Sequence, residues 1–146
     1  MTAARLVGSV FAVDDNPIAL RRLVELLKSV GVSVRAATSG ARALDAMRMQ
    51  PPDVVLLDVE MPGQDGFQVA AQLRADPATT RVRIVFVSAN DAAFERMRAF
   101  RASAADYLTK PFSDEEALAR IGTQLELAHL ARENEALRAQ LGRPRG

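Results

Sequence analysis

Short apolar runs recur along the chain with amphipathic helical stretches between them, and this alternation predicts an α/β domain built on a mostly parallel sheet. Five strands are expected, at Leu6 to Val13, Val32 to Ala36, Val54 to Asp58, Ile84 to Ser88 and Ala105 to Leu108. The third and fourth, Val-Val-Leu-Leu-Asp and Ile-Val-Phe-Val-Ser, are continuously apolar rather than alternating. That pattern suits central strands covered by helices on both faces, so the expected fold is a doubly wound, five-stranded parallel sheet.

The intervening stretches read as helices. Pro17 to Val30 has Pro17 in its first turn and Gly31 as a stop, with Ile18, Leu23, Leu26, Leu27 and Val30 assigned to one stripe. Ser39 to Met49 carries Ala43, Leu44 and Met47 and is ended by Gln50-Pro51-Pro52. Phe67 to Ala75 is closed by Asp76-Pro77, and Ala92 to Arg101 sets Phe94, Met97 and Phe100 three apart, as a core or docking face. From Ser113 to Gly142 there is no proline and a single internal glycine. A helix there could run for roughly 43 Å, about twice what packing on a small sheet requires.

Within that last helix, Leu118, Ile121 and Leu125, helped by Ala117 and Ala128, are expected to face the domain. Beyond them Leu127, Asn134 and Leu141 fall at a positions and Leu130 and Leu137 at d positions of two heptads, with Glu133 at g and Arg138 at the following e. The chain thus divides into a domain over residues 1–128 and a coiled-coil-like extension with a basic flexible end over 129–146. A homodimer through the fifth helix and its extension is expected, although two heptads alone are marginal.

Composition narrows the chemistry. At 146 residues and 49% apolar, the chain can bury a core without staples. Its 19 basic and 18 acidic residues announce no nucleic-acid partner. The imbalance is local: residues 129–146 hold four arginines and two glutamates, leaving 15 basic against 16 acidic residues in 1–128. Four arginines do not make a nucleic-acid reader. The absence of cysteine and the single histidine exclude disulfides, thiolate zinc, iron–sulfur ligation, cysteine nucleophiles and a histidine-rich metal site. Oxygen chemistry remains. No apolar run approaches the roughly 20 residues of a membrane span, and the expected compartment is the cytoplasm, with no membrane partner.

In open parallel sheets ligands bind outside the carboxyl ends of the strands. The first strand ends in Asp14-Asp15, the third in Asp58 and the fourth in Ser88, and Lys110 closely follows the fifth. Singly, each has a bland account: an Asp at a strand end suits a turn, and Asp-Asp before Asn-Pro suits a helix cap. Together they place three carboxylates, a hydroxyl and an ammonium at one crevice. Three such carboxylates repel one another unless a cation joins them, and Mg²⁺ matches an all-oxygen set. Asp58 is the candidate nucleophile, able to form an aspartyl phosphate, with Ser88 and Lys110 donating to the phosphoryl oxygens. Lys110-Pro111 is a candidate cis peptide that would fix the direction of the lysine. The glycine patterns of Rossmann and P-loop sites are absent.

With these motifs the chain resembles a response-regulator receiver domain of bacterial two-component signalling over about residues 6–128. The likeness rests on Val13-Asp14-Asp15-Asn16, on Leu56-Leu57-Asp58-Val59-Glu60-Met61-Pro62-Gly63-Gln64-Asp65-Gly66, on Val87-Ser88-Ala89 and on Asp106-Tyr107-Leu108-Thr109-Lys110-Pro111-Phe112. The resemblance implies a flavodoxin-like sheet of order 2-1-3-4-5. It implies Asp58 as phosphoacceptor from the phosphohistidine of a partner kinase or phosphotransfer protein. Asp15 and Asp58 match side-chain Mg²⁺ ligands, Glu60 the backbone-carbonyl ligand, and Asp14 the acid that reaches the ion through water. Ser88 and Tyr107 match the switch hydroxyl and aromatic, and Lys110 the phosphate-contacting lysine; such a domain is a switch, not an enzyme acting on an outside substrate. Ser88 stands where threonine is frequent and Ser103 where glycine is usual. Glu60 and Asn90 are expected to tune access and hydrolysis. In the family such a helix often continues into a further domain, so the chain fits a piece of a longer protein as well as a whole one. Two other readings stay open: an adaptor that dimerises through its C-terminal helix with little or no phosphorylation, and a phosphatase that turns over an external substrate through an aspartyl intermediate.

Overall fold

The computed structural model describes residues 6–142 apart from 91 and 103, and within 93–101 it leaves the side chains at 93, 94 and 96 aside. The strands are β1 (Ser9–Val13), β2 (Ser33–Ala37), β3 (Val54–Asp58), β4 (Arg83–Ser88) and β5 (Asp106–Thr109). Between and after them run α1 (Pro17–Ser29), α2 (Gly40–Met49), α3 (Gly66–Ala75), α4 (Ala93–Arg101) and α5 (Asp114–Leu141). All strand pairs are parallel, in the order β2-β1-β3-β4-β5. The expectations for Ser103, the Phe94 side chain and the basic end at 143–146 lie outside the described residues.

The continuous apolar strands do what their pattern predicts. In β3, Val54 and Leu56 join the core beneath α1 and α5, while Val55 and Leu57 join the one beneath α2, α3 and α4. In β4, Val85 and Val87 face the first layer and Ile84 and Phe86 the second, as the two-residue period of a strand requires.

Local signals set the helix ends. The Asn16 side chain accepts from the amides of Ile18 and Ala19, and Pro17 opens α1. Ser39 caps α2, and Asp65 and Gln68 form a reciprocal capping box at α3. Ser113 caps α5, whose first turn holds Asp114, Glu115 and Glu116, favourable against the helix dipole.

Three expectations need correction. Ile18 is 75% exposed, and Leu20 takes the buried place. Leu23 lies five positions after Ile18, about 140° around a helix, so Ile18 never shared the stripe. The first strand starts at Ser9, not Leu6, because Gly8 adopts φ 132° and a Cβ there would lie 2.8 Å from both Asp53 Oδ2 and Leu125 Cδ2. In α4, Ala99 meets the core while Met97 and Phe100 are exposed, so the core alternative for that face is overturned and the docking alternative stays open.

α5 is one continuous helix of 28 residues, about 42 Å long. Ala117, Ile121, Leu125 and Ala128 are buried and Leu118 is partly buried against the core, as expected. Beyond Ala128, Arg132 pairs with Asp53 and Glu135 with Arg81, so this part of α5 stays attached to the amino-terminal edge of the sheet. Neither pair was anticipated from the sequence.

Candidate phosphoacceptor site

Strand register assembles the site. Asp58 lies opposite Val87, so Ser88 reaches one residue further along the neighbouring strand and pairs with Thr109. The next backbone step is held too: the Lys110 amide donates to the Ser88 carbonyl at 2.8 Å and the Val59 amide to the Val87 carbonyl at 3.0 Å. Asp14 follows β1 directly, its amide donating to the Ala37 carbonyl. The Lys110–Pro111 peptide is cis.

The acidic residues meet as expected. Asp14, Asp15 and Asp58 each offer a carboxylate oxygen within 4.8 Å of the others. Asp14 and Asp58 are buried and Asp15 is exposed. Lys110 Nζ lies 3.0 Å from Asp14 Oδ2 and 3.7 Å from Asp58 Oδ2. The Asn16 amide donates to Asp14 Oδ1 and the Glu60 amide to Asp58 Oδ1.

Electrostatics follow from this crowding. Burial, with help from the neighbouring Asp14, pushes the Asp58 carboxyl up to about 7 against the pull of the Lys110 charge and the Glu60 amide. Burial alone would lower the Lys110 ammonium, but its hydrogen bond to Asp14 and the charges of Asp58 and Asp14 hold it above the usual lysine value. One ammonium does not balance three acids. The donors are hard oxygens without sulfur or imidazole, so the set fits a hard divalent cation.

The loop after Asp58 is closely packed. A Cβ on Gly66 would lie 2.5 Å from the Asp58 carbonyl oxygen and 2.9 Å from Val59 Cα, so only glycine lets the start of α3 approach there. Next to it, Ser88 Oγ donates to Glu60 Oε1 at 2.7 Å and accepts from the Asn90 amide at 3.0 Å. Tyr107 is buried, and its hydroxyl donates to the Asn90 carbonyl at 2.6 Å. The sequence marked Glu60, Ser88, Asn90 and Tyr107 but not this chain of hydrogen bonds.

A sequence model described as the response regulator receiver domain matches residues 10–122 of this chain. The chain belongs to that family. Among relatives of this receiver is the protein PilH of Pseudomonas aeruginosa, 35% identical over 119 residues that cover 82% of this chain and 98% of PilH. The response regulator PleD of Caulobacter vibrioides is 37% identical over 112 residues, 77% of this chain but 25% of PleD, so the receiver spans only a quarter of that relative. The receiver domain of the sensor histidine kinase PA1611 of Pseudomonas aeruginosa superimposes with a TM-score of 0.74 at 27% identity, covering 85% of this chain and 99% of that one. In that structure a magnesium ion is coordinated in the active site cleft.

Receivers of this family are phosphoacceptor switches of two-component signalling, served by a phosphotransfer partner, and are not enzymes with an external substrate. The acid cluster of this receiver is consistent with such a site and can hold a divalent metal. Among the described residues, no helix is long and apolar enough to cross a membrane.

Proposed function

We propose that this receiver works in the cytoplasm and accepts a phosphoryl group on Asp58 from the phosphohistidine of a partner kinase or phosphotransfer protein. The observation that carries the reading is the buried Asp58 carboxylate at the end of β3, within 3.7 Å of Lys110 Nζ and beside two further acids. An Asp58 oxygen attacks phosphorus, the nitrogen–phosphorus bond breaks, and the electron pair leaves with the imidazole. Lys110 partly neutralises the nucleophile beforehand, and its ammonium then serves a phosphoryl oxygen. Asp15 and Asp58, with the Glu60 carbonyl and with Asp14 through water, are the residues that would hold Mg²⁺. When bound, that ion supplies positive charge to carboxylates and phosphoryl oxygens that otherwise repel.

The new group adds about −1.5 to −2 charge and three acceptors beside Ser88. Ser88 moving toward it would loosen the Asn90 link, and Tyr107, bonded to the Asn90 carbonyl, would follow. Incubation with acetyl phosphate and Mg²⁺ is expected to add the mass of one phosphoryl group, and a chelator to prevent it. An unchanged mass overturns the reading.

The residues beyond 128 support a second role, as a dimerising extension of a receiver that spans 1–128. Ala128 is the last buried residue of α5, while Leu127, Leu130, Leu137 and Leu141 are exposed by 40–86%. At about 100° per residue this stripe lies roughly opposite Ala128, Arg132 and Glu135, which face the domain. A second copy in heptad register would cover it, with Asn134 at an a position. Light scattering on the full chain is expected to find a dimer that the double substitution Leu130→Lys and Leu137→Lys converts to monomer, whereas a monomeric parent chain would end this proposal. A dimer that gains no phosphoryl group would favour the adaptor reading.

A further inference from the structure

We propose that Glu60 is a latch on the switch: its carboxylate holds the Ser88 hydroxyl in the resting receiver and competes with a phosphoryl group on Asp58 for that hydroxyl's one proton. The inference rests on the reading of Asp58 as phosphoacceptor. It makes Glu60 a positioning residue, acting through Ser88.

The hydroxyl can donate once and accept twice. In the resting arrangement its proton goes to Glu60 Oε1 at 2.7 Å, a short bond assisted by the carboxylate charge. Its oxygen meanwhile receives the Asn90 amide, and the Asn90 carbonyl receives the Tyr107 hydroxyl. The four residues therefore form one directed chain from Tyr107 to Glu60. Ser88 is fully buried and Glu60 is exposed, so the fixed end of the 2.7 Å bond is the hydroxyl and the movable end is the carboxylate.

A phosphoryl group on Asp58 supplies a second anionic acceptor. Ser88 cannot serve both with one proton, and Glu60 and the phosphoryl group are both negative, so repulsion and competition act in the same direction. Phosphorylation must displace Glu60 before Ser88 can turn, and Asn90 and Tyr107 are released only as that exchange proceeds. The latch thus sets how much of the phosphoryl group's interaction energy reaches the aromatic switch.

The receiver contains one tyrosine and no tryptophan, so intrinsic tyrosine emission reports Tyr107 alone. With Mg²⁺ present, beryllofluoride as the phosphoryl probe should change that emission. Glu60→Ala should lower the half-saturating concentration by between roughly tenfold and a hundredfold, the scale of one hydrogen bond to a charged group. In a Ser88→Ala background the same substitution should gain less than about fivefold, the scale of an exposed charge acting through its field. Equal gains in the two backgrounds overturn the latch while leaving the phosphoacceptor reading intact; a parent receiver with no response overturns that reading and the latch with it. In the metal-free receiver, Glu60→Ala should also move the Asn90 amide resonance, since that amide donates to Ser88 Oγ. An unmoved resonance contradicts the latch without any variant at Ser88.

Discussion

Asp58→Asn is expected to gain no mass from acetyl phosphate and, in metal-free buffer at pH 8, to resist urea better than the parent chain by roughly 2–4 kcal/mol. The two results share one cause. The carboxyl titrates near 7 in the folded receiver against a reference of 3.8, because it is buried beside Asp14. Between those values the folded state keeps a proton that the unfolded chain has released. Stability from this group is therefore greatest below about pH 4 and falls as pH rises through 7. An amide has no such titration, can still accept from the Glu60 amide through its oxygen, and cannot form the acyl phosphate. The advantage of the variant should shrink to nothing as pH is lowered to about 4. Urea midpoints across that range decide the matter, and parallel curves for the two proteins would contradict the buried, crowded carboxylate.

Mg²⁺ is expected to reverse the same penalty. At a hundred times its dissociation constant, a ligand that binds only the folded state adds about 2.7 kcal/mol. For this receiver the gain should appear at pH 8 and diminish below about pH 7, where protonation of Asp58 competes with the metal. Asp15 is the exposed member of the three acids, so Asp15→Asn tests the site with little disturbance to the core. That variant should lose most of the gain while matching the parent in chelator. Equal gains in parent and variant would place the stabilising ion elsewhere.

Some features were readable because they depend on neighbours in the chain. The unbroken apolar runs at Val54 to Asp58 and Ile84 to Ser88 became central strands. Ser39, Ser113 and the Pro17 start mark helix ends through local hydrogen bonds and local sterics. Asp14, Asp15, Asp58 and Lys110 could be predicted to meet because a parallel sheet gathers its strand ends at one edge. The error at Ile18 was one of angle: its type suited the core, but its position around the helix did not. The early strand start failed because Asp53 and Leu125, far along the chain, limit what Gly8 can be.

What the order of residues determined by itself was the inventory: five apolar runs, the helices between them, and which acids, hydroxyl and amine could work together. Tertiary structure alone decided how those groups are engaged. Ser88 donates to Glu60, Tyr107 to the Asn90 carbonyl, and Arg132 pairs with Asp53. The physical reason is range. Periodicity and capping act over one or two turns, whereas a hydrogen bond is sensitive to tenths of an ångström between residues 17, 28 and 79 positions apart. Only the packed sheet and its register bring such partners to that distance.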